Sequence, residues 1–178
     1  FKGAIDVPMG DALSMRLAGR LDSRDGYGNN IFSGSDINDR DASAYRATLV
    51  YDAGGPLTAT LSAQYYEEDD NNYAFSYFGQ SEGSSIPVPF GVPILGGNTV
   101  GMVGGGFYDI NSDQEPINDR DGQLINLTID YAFNDRWSLK SITSSQSMDR
   151  FLRDDLDSTD ANLFGQNLSL IHISEPTR

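Results

Sequence analysis

The dominant signal along the chain is alternation of apolar and polar residues with period two, the mark of a strand with one apolar face. Residues 12–23 show it most clearly: Leu13, Met15, Leu17 and Leu21 share one face, and Ser14, Arg16, Arg20 and Asp22 the other. The same reading holds for 1–8, 43–52, 57–66 and 123–133. It is weaker over 136–146, where Trp137 and Leu139 oppose Ser138 and Lys140 but Ile142 breaks phase. Once each phase is set from the apolar residues, the charges Lys2, Asp6, Arg16, Arg20, Asp22, Arg46, Asp52, Asp130 and Lys140 all fall on the polar face.

The connections alternate as well. Residues 9–11, 53–56 and 134–135 carry the Gly, Pro, Asn and Asp of tight turns. Between the hairpins lie long polar links at about 24–42, 67–122 and 147–167. The fold class expected is all-β: an antiparallel transmembrane β-barrel fragment of about six strands, with short periplasmic turns and long extracellular loops. Strands of about 10–12 residues suit a tilted membrane span better than a soluble sandwich. A soluble domain rarely carries a link as long as 67–122. Tyr45, Tyr51, Tyr65, Tyr131, Phe133 and Trp137 stand near predicted strand ends, where an aromatic girdle would lie.

Composition narrows the function. The chain has 178 residues, no cysteine, one histidine and a net charge of −14. That excludes a disulfide framework and a multi-histidine metal site, and leaves no chain-wide basic footprint for nucleic acid. No catalytic constellation is visible: Asp154 and Asp155 are adjacent in a polar link, and Gly104–Gly106 lacks the Lys-Ser/Thr of a phosphate loop. No catalytic, cofactor-binding or metal-ligating residue is assigned, and no enzyme is expected.

Several stretches resemble one family. GAIDVPMGDALSMRLAGRLDSRDGYGNN (3–30), INDRDASAYRATLVYDAGGPLTATLSAQYYEEDD (37–70) and LTIDYAFNDRWSLKSITSSQSMDRFLRDDLDSTDANLF (127–164) are similar, in order and spacing, to the barrel of outer-membrane TonB-dependent receptors. The resemblance implies a barrel of about 22 strands around a plug. It also implies energy supplied through the TonB complex, and localisation in a Gram-negative-type outer membrane. Residues 1–167 then read as an interior piece of the barrel, with the plug and its TonB-contact segment outside it. The implied partners are outer-membrane lipid, the TonB complex and a scarce solute: a ferric siderophore, a cobalamin-like cofactor or a glycan. A passive porin and a secreted all-β Ca²⁺-binding or adhesion domain remain open alternatives. The last eleven residues, LSLIHISEPTR (168–178), resemble the codon-by-codon translation of a transposase adapter from a sequencing library. They are read as a non-native tail, and it holds the single histidine, His172.

Candidate substrate contacts come from two places. The apolar, Gly- and Pro-rich part of the longest link offers Phe90, Ile94, Leu95 and Phe107. The polar face offers Arg16, Arg20 and Arg46, which either attract an anionic solute or pair with neighbouring aspartates. Two further features invite a cation reading. INDRD occurs at 37–41 and 117–121, and residues 67–121 hold ten acidic residues against Arg120. Neither INDRD copy has EF-hand spacing. Loop ends that satisfy free backbone N–H groups are the simpler account.

Overall fold

A computed structural model describes residues 1–71, 98–162 and 165–174. The fold is all-β and antiparallel. Its main sheet contains β1 (Lys2–Pro8), β2 (Leu13–Arg24), β5 (Arg40–Asp52), β6 (Leu57–Asp70), β7 (Ile117–Asn134), β8 (Trp137–Asp155) and β9 (Gly165–Ser174), hydrogen-bonded in that order. Two short strands, β3 (Gly28–Asn29) and β4 (Asp36–Ile37), form a small separate hairpin, and α1 (Val100–Val103) is a single helical turn. Among the described residues the sheet stays open, with β1 and β9 at its edges. No described helix is long and apolar enough to cross a membrane.

All six predicted strands are present. A seventh, β9, pairs with β8 from Gly165 to Ser174, so it runs across the expected boundary at residue 168. The strands also run further than the alternation reaches. β7 begins at Ile117, inside the stretch read as a link, and β8 continues to Asp155. In these extensions apolar and charged residues share both faces, Ile117 and Phe151 with Asp119 and Asp149 on one and Met148 and Leu152 with Arg120 and Arg150 on the other, so period-two hydrophobicity cannot mark them, whereas the backbone ladder continues regardless.

The three tight turns lie at one end of the sheet and are stitched to each other. Asp52 N–H donates to Ala12 O at 2.8 Å, and Ala132 N–H to Pro56 O at 2.8 Å. Gly10 and Gly54 take φ of 94° and 71°, which only glycine enters freely. Asn134 Oδ1 closes the third turn by accepting from the N–H of Arg136 (2.9 Å) and Trp137 (3.1 Å).

Among the described residues the sheet has no core of its own. Ile5, Leu17, Leu21, Leu61, Ile125 and Leu139 are all exposed on one face. Direct register aligns them into an apolar band. Tyr45 stands opposite Tyr65 along its upper border; Tyr131, Phe133 and Trp137 mark the lower. The band fades on β8, where Ser141, Thr143, Ser145 and Ser147 follow Leu139 on the same face. The buried apolar residues among those described are Ile37, Val100, Ile110, Pro116 and Leu152, all at the opposite end from the turns. There the connections 25–39, 98–116 and 156–162 gather into a compact cap on the extended strand ends. Its core is largely polar: Asn30, Thr99, Ser112, Asp155 and Thr159 are buried.

Candidate functional site

The polar face carries a ladder of charged and amide side chains. On β1 and β2, Arg16 Nη1 lies 3.0 Å from Asp6, and Arg20 pairs with Asp22 two residues along its own strand. On β5, Arg46 Nε donates to Gln64 Oε1 at 3.0 Å. Nearer the turns, Lys140 Nζ lies 3.2 Å from Asp130. These pairs are exposed, so solvent screening leaves each contributing little to stability.

The ladder tightens towards the cap. Glu68 (5% exposed) is held between Arg40 and Arg120, which approach it from the two neighbouring strands. Asp70 (1% exposed) accepts from Arg40 at 3.0 Å and from Asn118 Nδ2 at 3.1 Å. Asn118 Oδ1 in turn accepts from Arg150 Nη2 at 2.8 Å. One network thus crosses four strands, β5 to β8, and gives its most buried carboxylates cationic or amide partners, as such burial requires. Beside it, Tyr66 lies over Gly122 on the facing strand. A Cβ at Gly122 would come 2.5 Å from the Tyr66 oxygen, so only glycine lets the ring lie flat here. Arg24 donates to Asn38 O at 2.8 Å and stacks 4.9 Å from the Tyr27 ring centroid, joining the ladder to the cap.

The cap is organised by aspartates. Asp155 Oδ1 accepts from Asp157 N–H at 3.0 Å and Oδ2 from Thr159 N–H at 3.2 Å, which folds the chain back after β8. Burial pushes Asp155 up to about 6; Ser112 and the nearby backbone N–H groups pull it down, and the Asp157 charge adds to the rise. Burial also raises Asp154 to about 6. Asp109 is lowered, because its carboxylate accepts the N–H groups of Gly106 (2.7 Å) and Asn29 (2.9 Å). Asn30 exchanges two hydrogen bonds with Ser112 and so ties the first connection to the second. Among the described residues no group of three His, Cys, Asp or Glu side chains could hold a metal ion.

The sequence-predicted contacts separate in space. Arg16, Arg20 and Arg46 lie on the polar face with the partners just described. Phe107 lies in the cap, exposed, with its ring edge-to-face on Tyr108 at 5.1 Å. Phe90, Ile94 and Leu95 lie outside the described residues. The two INDRD copies do different work. In the first, Asn38 takes a left-handed φ of 61° and Asp39 Oδ1 accepts from Asn71 N–H at 2.6 Å. In the second, Asn118 and Arg120 belong to the ladder. Sequence alone places Glu68 and Asp70 in an acidic link and Arg40 in the first INDRD copy, away from the ladder, and does not single out Arg150. Continuing the strand phases of 43–52 and 57–66 outward by a few residues would have put Arg40, Glu68 and Asp70 on the polar face.

Comparison with protein-family models, with curated proteins and with solved structures finds no match.

Proposed function

We propose that this sheet is part of the barrel wall of an outer-membrane uptake receptor of the TonB-dependent type that its sequence resembles. The observation that carries the reading is the apolar band. It is solvent-exposed on one face of the sheet and bordered by aromatic rows, and the cap leaves it uncovered. An apolar patch of this extent is unfavourable in water and suits lipid. The polar face then lines the lumen, the stitched turns lie in the periplasm and the cap lies outside the cell. β1 and, since β9 consists mostly of the adapter-derived residues, β8 would meet further strands of a complete barrel, because an open edge is not tolerated within a bilayer. Such a receptor takes up a scarce solute (a ferric chelate, a cobalamin-like compound or a glycan) past a plug supplied by other parts of the protein. Residues 168–178 are taken as adapter-derived, so genomic DNA at the source locus would diverge after about residue 167.

Trp137, the only tryptophan, provides the test. It is 72% exposed at the lower border of the apolar band. In vesicles it should be quenched by lipids brominated near the headgroup more than by lipids brominated at the chain ends. Absence of quenching from either depth would remove the membrane reading. Receptor and porin then separate on the source protein: receptor uptake stops when the proton-motive force is collapsed, and porin flux does not.

A further inference from the structure

Register places cations directly opposite cations on the polar face. Lys2 faces Arg20 across β1 and β2, Arg24 faces Arg40 across β2 and β5, and Arg120 faces Arg150 across β7 and β8. Like charges in direct cross-strand register oppose folding. The carboxylates within this part of the face, Asp22, Glu68 and Asp70, are outnumbered two to one by those six cations. The imbalance is local and runs against the chain as a whole, whose net charge is −14.

The surface is also hollowed where the excess lies. A depression of about 480 Å³ is lined by Lys2, Arg20, Arg46 and Gln64. A second of about 430 Å³ is lined by Arg20, Asp22, Arg24 and Arg40. A third of about 150 Å³ is lined by Arg20, Arg40, Glu68 and Arg120. Arg20 borders all three, which together make up a tract. From Lys2 on β1 to Arg120 on β7 it crosses four strand spacings, about 19 Å at about 4.8 Å each. That width suits a solute with several anionic groups and is too wide for a single one to span.

We infer that this tract is a binding surface for a polyanionic solute, one whose clustered carboxylate or phosphate oxygens offset the local excess of cations at Lys2, Arg20, Arg24, Arg40 and Arg120. The biological meaning of the tract, recognition of an anionic cargo on the lumen wall, rests on the uptake reading above. The binding chemistry does not. Glu68 acts within it as an internal competitor, because it holds Arg40 and Arg120, both of which keep part of their side chains in solvent.

The test is titration of the full 178-residue chain, folded in detergent micelles and checked for β content by circular dichroism. Inositol hexakisphosphate and benzenehexacarboxylate serve as the two anionic probes and uncharged inositol as the control. At least one hexa-anion should bind saturably and more weakly in salt, and inositol should not; the stronger arm identifies phosphate or carboxylate chemistry. Arg20→Gln and Arg24→Gln should each weaken binding about two- to fivefold, and Arg24→Lys should retain it. Glu68→Gln, nearly isosteric, should tighten binding by a similar factor because it releases two guanidinium groups. Failure of both hexa-anions to bind overturns the inference. So does a Glu68→Gln variant that binds more weakly, since that is the sign expected if the network merely holds the strands. Anion binding without Trp137 quenching defeats the membrane reading alone, and quenching without anion binding defeats this one alone.

Discussion

Tyr45 and Tyr65 stand directly opposite one another on β5 and β6, both half-exposed on the apolar face. Below them run Ala47 with Ala63 and Leu49 with Leu61; above them Ser43 stands opposite Glu67. The tyrosine pair therefore marks the line where one face of a single sheet changes from apolar to charged. Tyrosine suits such a border, with an apolar ring and a polar tip.

The two faces of β6 should respond in opposite ways to a charge. Leu61→Arg places a guanidinium in the apolar band and should cost about 2–4 kcal/mol of stability in a bilayer. Ser62→Arg, one residue along and on the polar face, should cost far less. Denaturant titration of the chain folded into vesicles would measure both. Equal effects would mean that neither face meets lipid.

Within the ladder, burial sets the cost of losing a charge. Glu68→Ala leaves Arg40 and Arg120 without their shared carboxylate, and should destabilise by about 1–3 kcal/mol once the partial exposure of both arginines is allowed for. Arg16→Ala breaks an exposed pair and should stay within about 0.5 kcal/mol. Urea midpoints at constant m-value would show the contrast.

Acid should tighten the cap before it loosens it. Asp154 and Asp155 bind a proton more readily in the folded chain than when unfolded, with folded values of about 6. Their protonation favours the folded cap fully below the ordinary carboxylate value, and that contribution is lost as pH rises through about 6. Asp109 is lowered, so its contribution is present above its ordinary value and lost as pH falls through its folded value. Amide-exchange protection of the cap should therefore rise from pH 7 to about pH 5 and decline in stronger acid. Asp154→Asn should flatten the rise, and an unchanged profile in that variant would assign it elsewhere.

Close backbone approach makes Gly28 irreplaceable. A Cβ there would lie 2.0 Å from Tyr108 O and 2.8 Å from its carbonyl carbon. Gly28→Ala should push residues 106–111 off the β3–β4 hairpin, at a cost of about 1–3 kcal/mol. Limited proteolysis should then cut in this segment of the cap, and Gly55→Ala, with open space around it, should not produce that cut.

Reading the strands from sequence worked where one face was apolar and the other polar. Leu13 to Leu21 and Leu57 to Tyr65 are legible because alternate burial or lipid contact demands alternate chemistry. The segments 117–122 and 147–155 carried no such demand, and their pairing is visible only in the ladder. The cap was illegible for a related reason. Its buried residues include Asn30, Thr99, Asp155 and Thr159, which no hydrophobic pattern marks as interior. They are buried because connections far apart in sequence supply each other's hydrogen bonds, as Asn30 and Ser112 do.

Local order along the chain was enough to establish an all-β protein, the two unlike faces of its strands and the side on which Arg16, Arg20 and Arg46 lie. Each of these follows from the period of two between successive side chains, a property of the extended backbone alone. Which residue stands opposite which was settled by folding. Arg24 meets Arg40, and Arg120 meets Arg150, because register is a relation between strands that the connections bring together. A shift of two residues would keep every side chain on its face and still dissolve each of those pairs. The opposed cations, the shared Glu68 and the hollow they border therefore belong to the assembled sheet and to no single stretch of the chain.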